Sequence, residues 1–280
     1  MDEHRKRRGT QTLPGSWVAN ISLLLATVGT FILLLELAIR LLAIVKPPIM
    51  ALDEELGWIH RPNVRRTYST EDVRAVCQTN SLGVRGPLPE EIPRRPRFLI
   101  LGDSYTDGLE VSDADLFSRL WSEMRPDLAI YNGGVGGYST VQELGLYRRL
   151  DSKIIPDQVI LMVSWNDLND NLLPFYPSIG PRPYVDAAGN LSSTDWNLFR
   201  PFLPPLPGRI WLQKNSLTAY VVQNRFLGFY TARKQKQLID HWINRIPENK
   251  KWLFLEDLVA QLARSRPTII VGIPSREDVK

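Results

Sequence analysis

Three short apolar runs, each closed by small or polar residues, constrain this chain more than any other feature. The run 98–101 (Phe-Leu-Ile-Leu) ends in Gly102-Asp103-Ser104. The run 128–131 (Leu-Ala-Ile-Tyr) ends in Asn132-Gly133-Gly134-Val135-Gly136-Gly137-Tyr138. The run Gln158–Ser164 ends in Trp165-Asn166-Asp167. Runs of this length and composition read as strands buried on both faces. Segments with helical spacing separate them: 113–124, with Leu116, Phe117, Leu120, Trp121 and Met124 on one side and Ser112 or Asp113 as N-cap, and 139–150. A fourth run, 267–273, follows later. Strands alternating with helices predict an α/β fold with a parallel sheet and right-handed crossovers.

Between the third and fourth strands lies a long excursion, 168–266. Its first part, 174–207, is loop-like and rich in Pro, Tyr and Phe; 209–236, 238–246 and 251–264 have helical spacing. Insertions at this edge of a sheet often shape a pocket. Trp211, Tyr220, Phe226 and Tyr230 form an aromatic stripe expected to pack into the core, and Lys234, Lys236, Lys250 and Lys251 are expected on solvated faces. Upstream of the first strand, Pro47, Pro48, Pro62, Pro87, Pro93 and Pro96 break the chain up. Short extended pieces are expected at 66–68 and 73–77, with a turn at Asn80-Ser81-Leu82-Gly83. Gly57-Trp58 and Tyr68 carry too much aromatic surface for disorder, so this lead-in is expected to pack on the main domain.

The N-terminus has a different character. No charged residue stands between Arg8 and Glu36, and 17–35 is nearly all apolar. At about 1.5 Å per helical residue the stretch reaches roughly the thickness of a bilayer core. The apolar run continues through Leu41-Leu42-Ala43-Ile44-Val45, longer than a cleavable signal allows, so an uncleaved single-pass anchor is expected. Glu36 and Arg40 are placed to pair at the far interface. The cluster His4-Arg5-Lys6-Arg7-Arg8 favours a cytoplasmic N-terminus, which sends everything after Pro48 across the membrane. Beyond that cluster, a net charge of +4 gives no basis for a nucleic-acid partner. The single Cys77 excludes an internal disulfide and a thiolate metal cluster, and three histidines argue against a His-based metal site. No cofactor or metal is expected.

In a parallel sheet all three punctuated strand ends lie on one edge, where open α/β sheets bind ligands. Each taken alone reads as an ordinary turn or helix cap; together, in order, they read as one site. A nucleophilic serine needs a base to take its proton and donors to hold an oxyanion. Ser104 supplies the hydroxyl and its own N–H; a glycine N–H of the second loop and the Asn166 amide supply further donors. Gly-x-Gly-x-x-Gly is absent after the first strand, which argues against a dinucleotide site.

These blocks resemble the SGNH, or GDSL, hydrolases: Gly102-Asp103-Ser104-Tyr105-Thr106-Asp107-Gly108 their serine block, Asn132-Gly133-Gly134-Val135-Gly136-Gly137-Tyr138-Ser139 their glycine block, and Ser164-Trp165-Asn166-Asp167 their asparagine block. Leu56-Gly57-Trp58-Ile59-His60-Arg61-Pro62-Asn63 and Asn80-Ser81-Leu82-Gly83-Val84-Arg85-Gly86 resemble the lead-in of membrane-anchored bacterial members. The resemblance covers about 56–170 and the fourth strand. It implies a flavodoxin-like three-layer α/β/α domain and ester hydrolysis through a seryl intermediate, with Ser104 as nucleophile and Gly137 and Asn166 as oxyanion donors. Asp103 is expected to hold the loop and Asp167 to orient its neighbours.

Two departures stand out. Ser164 occupies a position that is often glycine, and the family's C-terminal Asp-x-x-His does not occur. His4 falls on the other side of the membrane, His60 reads as packing or surface, and His241 lies in a basic helical stretch. The expected organisation is a basic cytoplasmic tail at 1–16, a transmembrane anchor at 17–45, a lead-in at 46–96 and an SGNH domain at 97–280, with an insertion at 168–266 and its last strand and Asp-x-x-His block missing, as in an incomplete chain. The expected protein is an inner-membrane serine esterase with a periplasmic or extracytoplasmic domain, acting on a small acyl ester. The alternatives are an O-acyltransferase or deacetylase acting on a cell-surface glycan, and an inactive fragment or binding scaffold.

Overall fold

The computed structural model describes residues 16–42, 48–88, 91, 95–176, 179–196, 208–222, 243–244 and 246–274. Strands β5 (Arg97–Leu101), β6 (Ala129–Asn132), β7 (Gln158–Ser164) and β12 (Thr268–Ile273) form a parallel sheet in the order β12-β7-β5-β6. Phe98 aligns with Ile130 and Gln158, which brings the carboxyl ends of β5, β6 and β7 to one edge. Side chains alternate across the sheet, as strand geometry requires. Leu99, Leu101, Ala129, Tyr131, Val159 and Leu161 face one helical layer, built from α4 (Thr140–Ile154) and the helix Glu248–Ser265, numbered α8 below. Ile100, Ile130 and Ile160 face the other side, where Trp121 of α3 (Phe117–Met124) packs. The domain is thus three-layered, with helices on both faces of a parallel sheet, as the alternating pattern predicts. β12 forms an edge of the sheet and leaves Ile269, Ile270 and Val271 exposed.

The lead-in packs against the glycine loop that follows β6. Two hairpins, β1 (Met50–Asp53) with β2 (Gly57–His60) and β3 (Arg65–Ser69) with β4 (Arg74–Gln78), precede the sheet. Trp58 is fully buried, its indole N–H donating to Gly136 O at 3.0 Å while its own carbonyl accepts the Tyr138 hydroxyl at 2.7 Å. Asn80 shapes the expected turn, accepting the N–H groups of Leu82 and Val84 and donating to the carbonyls of Gly86 and Pro87. Side-chain bonds of this kind replace the ladder a loop lacks.

The structure corrects the sequence-based expectations in several places. The segment 113–124 is not one helix: a 3₁₀ turn, Asp113–Asp115, is cut from α3 by Leu116 in extended conformation (ψ 134°). Ser112 makes no cap; its Oγ accepts the Val76 N–H at 3.1 Å. At the start of α4 the Gln142 Oε1 accepts the Ser139 N–H at 3.3 Å, and α4 runs on to Ile154. The excursion opens with a turn of helix, α5 (Asp167–Asp170), and two small hairpins, β8 (Phe175–Tyr176) with β9 (Gly180–Pro181) and β10 (Tyr184–Val185) with β11 (Leu191–Ser192). It continues in α6 (Arg209–Asn215) and α7 (Leu217–Val222). Trp211 is two-thirds exposed rather than packed in the core, and Lys251 is buried rather than solvated, its Nζ reaching Asn169 Oδ1 at 2.8 Å. The apolar N-terminal stretch is a helix, α1 (Ser16–Leu41), long and apolar enough to cross a membrane. The basic tail at 1–15, His4, residues 43–45, Phe226, Tyr230, Lys234, Lys236 and His241 lie outside the described residues.

Candidate active site

At the end of β5 the chain turns straight into α2 (Ser104–Asp107). Asp103 is the N-cap, its Oδ1 accepting the Tyr105 N–H at 3.0 Å, and Gly108 closes the turn in left-handed conformation (φ 58°). The sharpness of this turn demands glycine at 102, where a Cβ would sit 2.0 Å from Thr106 Oγ1. Ser104 is left exposed on the first residue of the turn, whereas Thr106 and Asp107 point into the protein. Arg85 of the lead-in holds the turn from below. Its guanidinium donates to the carbonyls of Asp107, Gly108 and Val111 and pairs with Asp113.

The glycine loop after β6 is laid directly on this turn. A Cβ on Gly134 would come within 2.4 Å of the Asp107 nitrogen. Asn132 ties the two together, donating to Thr106 O at 2.7 Å and accepting the Gly134 N–H at 2.8 Å. Asp107 Oδ2 accepts the Gly136 N–H at 2.9 Å and meets His60 Nε2 at 3.1 Å. Gly137 then turns left-handed (φ 76°) beside the Tyr176 ring, which a Cβ would approach to 3.2 Å.

The third strand end closes the group. Asp167 Oδ2 accepts the Ser164 N–H at 2.7 Å, and Asn166 donates to Asp170 Oδ2 at 2.8 Å. The Ser164 and Asn166 side chains also face the Asp103 carboxyl, so the ends of β5 and β7 meet there. One fully buried residue that sequence reasoning missed, Arg182, joins this end to the glycine loop. It donates to Gly137 O at 2.9 Å, Asp170 O at 2.7 Å, Asp170 Oδ1 at 3.1 Å and Leu173 O at 3.0 Å, and lies 5.4 Å from the Tyr176 ring centre. Gly137 and Asn166 are thereby linked through a single guanidinium and the Asp170 carboxylate.

Beneath the edge lies a buried group of acids. Burial, together with the charges of Asp103 and Asp170, pushes the Asp167 carboxyl up to about 8. Burial and the neighbouring Asp167 raise Glu143 well above the usual carboxylate range, and neither Glu143 oxygen has a hydrogen-bond partner. Burial raises Asp103 as well. Glu143 had a readable signal, since it stands three, four and seven residues before Leu146, Tyr147 and Leu150 on the buried stripe of α4. Arg182, between two prolines, had none.

The folded state therefore keeps a proton on Asp167 that the unfolded chain releases near pH 4. Stability falls as the pH rises from about 4 to about 8 and levels off beyond. Asp167→Asn keeps an oxygen for the Ser164 N–H and has no charge to bury. Its melting temperature is expected to exceed that of the parent above pH 8, with the gap closing on acidification, as thermal unfolding across pH would read.

Of the sequence-predicted residues, Ser104, Gly137 and Asn166 all stand at the carboxyl edge of the sheet, with Asp103 and Asp167 behind them. The Asn166 amide is engaged with Asp170 and faces Asp103. His60 is neither surface nor simple packing: it is buried and its Nε2 is committed to Asp107. No described hydrogen bond joins a histidine to Ser104. A cavity of about 670 Å³ opens elsewhere, between the lead-in and α3, lined by Asn80, Arg85 and Arg119 among others and by none of the predicted site residues.

No protein-family model matches this chain, and no curated protein matches it. Among solved structures, it is similar to a Bacteroides fragilis protein provisionally described as an acylhydrolase, at 13% identity and a TM-score of 0.25, over 68% of this chain and 77% of the other. A likeness that slight carries no argument about fold or chemistry.

Proposed function

We propose that the chain is a membrane-anchored serine ester hydrolase of the SGNH/GDSL type, acting on acyl esters outside the cytoplasm. The observation that carries the reading is the placement of Ser104. It is the exposed first residue of a tight strand-to-helix turn, against which the glycine loop and the Asn166 loop are both built. Ser104 Oγ attacks the ester carbonyl. The N–H groups of Ser104 and Gly137, and the Asn166 amide once turned from Asp170, receive the oxyanion. The Ser104 proton passes through solvent water to the departing oxygen, so the substrate leaves as its alcohol. A water then adds to the acyl-serine, giving its hydroxyl to the acid and a proton back to Ser104 Oγ. Asp103 and Asp167 hold the loops and touch no substrate. A serine hydroxyl without a base at hand stays protonated, so turnover through Ser104 alone is slow.

Full-length protein incubated with p-nitrophenyl acetate is expected to release p-nitrophenolate, and Ser104→Ala is expected to abolish that release above background. Equal release from both proteins overturns the assignment. A second reading, a tethered protein that binds esters without cleaving them, is favoured by the commitment of His60 to Asp107. Saturable ester binding with no Ser104-dependent release would support it.

A further inference from the structure

α1 carries its own mark of where the bilayer ends. Residues 17–35 are all exposed, and the first partly covered positions are Glu36, Ala38 and Ile39. Glu36 lies about 28 Å along the helix from Trp17, close to the thickness of a bilayer core. What covers this end is the α6–α7 corner of the excursion. The Glu36 carboxylate accepts the N–H groups of Leu217 (3.0 Å) and Thr218 (2.9 Å) and the Ser216 hydroxyl (2.9 Å) at the start of α7. Arg40 pairs with Glu36 at 2.7 Å and donates to the carbonyl of Asn215, the last residue of α6. An acidic side chain at the end of a membrane span is costly unless paired; here it caps one helix while its arginine caps another. The corner is thus pinned at the level where α1 leaves the hydrocarbon.

The same corner exposes Trp211 (66%), Leu212 (39%) and Val222 (47%). On a solvated helix these side chains would waste apolar surface. At a membrane–water interface a tryptophan with flanking aliphatics is a favoured composition. We propose that α6 and α7 lie in the phospholipid interface of the leaflet from which α1 emerges, with Trp211 and Leu212 inserted among the headgroups and upper acyl chains. The inference rests on reading α1 as an uncleaved membrane span. The domain then has two attachments, a span and an interfacial corner.

The test uses the full chain with Cys77→Ala, reconstituted in vesicles of phosphatidylcholine and phosphatidylglycerol. Single cysteines at Leu33→Cys, Trp211→Cys and Met124→Cys carry an NBD fluorophore. Met124 is exposed on α3 and reports outward-facing domain. Dithionite, which does not cross the bilayer, is expected to bleach the 124 label fast and the 211 label several-fold more slowly. A shallow spin-labelled lipid is expected to quench the 211 label and not the 124 label. If the 211 label bleaches as fast as the 124 label while the 33 label stays protected, the interfacial corner is overturned and the span survives. If the 33 label is bleached too, the span itself is overturned and the corner with it. Protection at 211 without lipid quenching shows a protein cover, such as a second copy, and also overturns the proposal.

Discussion

Replacing Arg182 by Met is expected to destabilise the protein by about 3–5 kcal/mol, the usual cost of breaking a buried pair from one side. Arg182 is fully buried, and its loss strands the buried Leu173 carbonyl and takes a donor from the half-buried Gly137 carbonyl and Asp170 carboxylate. Burial pushes the guanidinium down from its ordinary range, and the Asp170 charge and hydrogen bond oppose that. Arg182→Lys keeps the charge but cannot spread it over carbonyls on three sides, so it is expected to recover only part of the loss. Arg182 also joins Gly137 to Asp170, and Asp170 to Asn166. Any reaction of Ser104 that relies on those donors is expected to slow in Arg182→Lys even where the protein still folds. Thermal unfolding and the rate of p-nitrophenolate release, measured on the same preparations, separate the two effects.

The second large effect is a pair of alanine substitutions two residues apart. Gly134→Ala places a methyl 2.4 Å from the Asp107 nitrogen and 2.6 Å from the Thr106 carbonyl carbon. The obstacle is backbone, so the α2 turn must move by about 1 Å, and overpacking of this kind costs about 1–3 kcal/mol or more. The turn that moves is the one that carries Ser104. Gly136→Ala meets only Asp107 Oδ2, at 3.5 Å, an ordinary contact, and keeps the N–H that Asp107 accepts. It is expected to lie within about 0.5 kcal/mol of the parent. A melting temperature lowered by Gly134→Ala and spared by Gly136→Ala would show that the glycine loop is packed on the serine turn. Equal effects would contradict that packing.

The sheet was legible because parallel strands buried on both faces write themselves as continuous apolar runs; the bounds Gln158–Ser164 are those of β7. The edge on which Ser104, Gly137 and Asn166 stand followed from topology alone. What failed did so for physical reasons. Apolar spacing is blind to one extended residue, so the break at Leu116 was invisible. The same spacing serves a core face and an exposed apolar one, so Trp211 read as core. His60 and Asp107 stand 47 residues apart, and nothing local to either announces the bond between a lead-in strand and the serine turn. Arg182 sits in a loop whose pattern carries no period. Its partners come from the glycine loop after β6 and from distant turns of its own excursion, and only the fold brings them together.

The central claim is that Ser104 is the reactive hydroxyl of the sheet-edge site. The most direct test is to treat the full-length protein with a fluorophosphonate and map the adduct by peptide mass spectrometry. A single phosphonyl group on Ser104, with none on Ser139 or Ser164, is the predicted result. Labelling elsewhere with Ser104 unmodified, or a Ser104→Ala protein that labels as well as the parent, would contradict it.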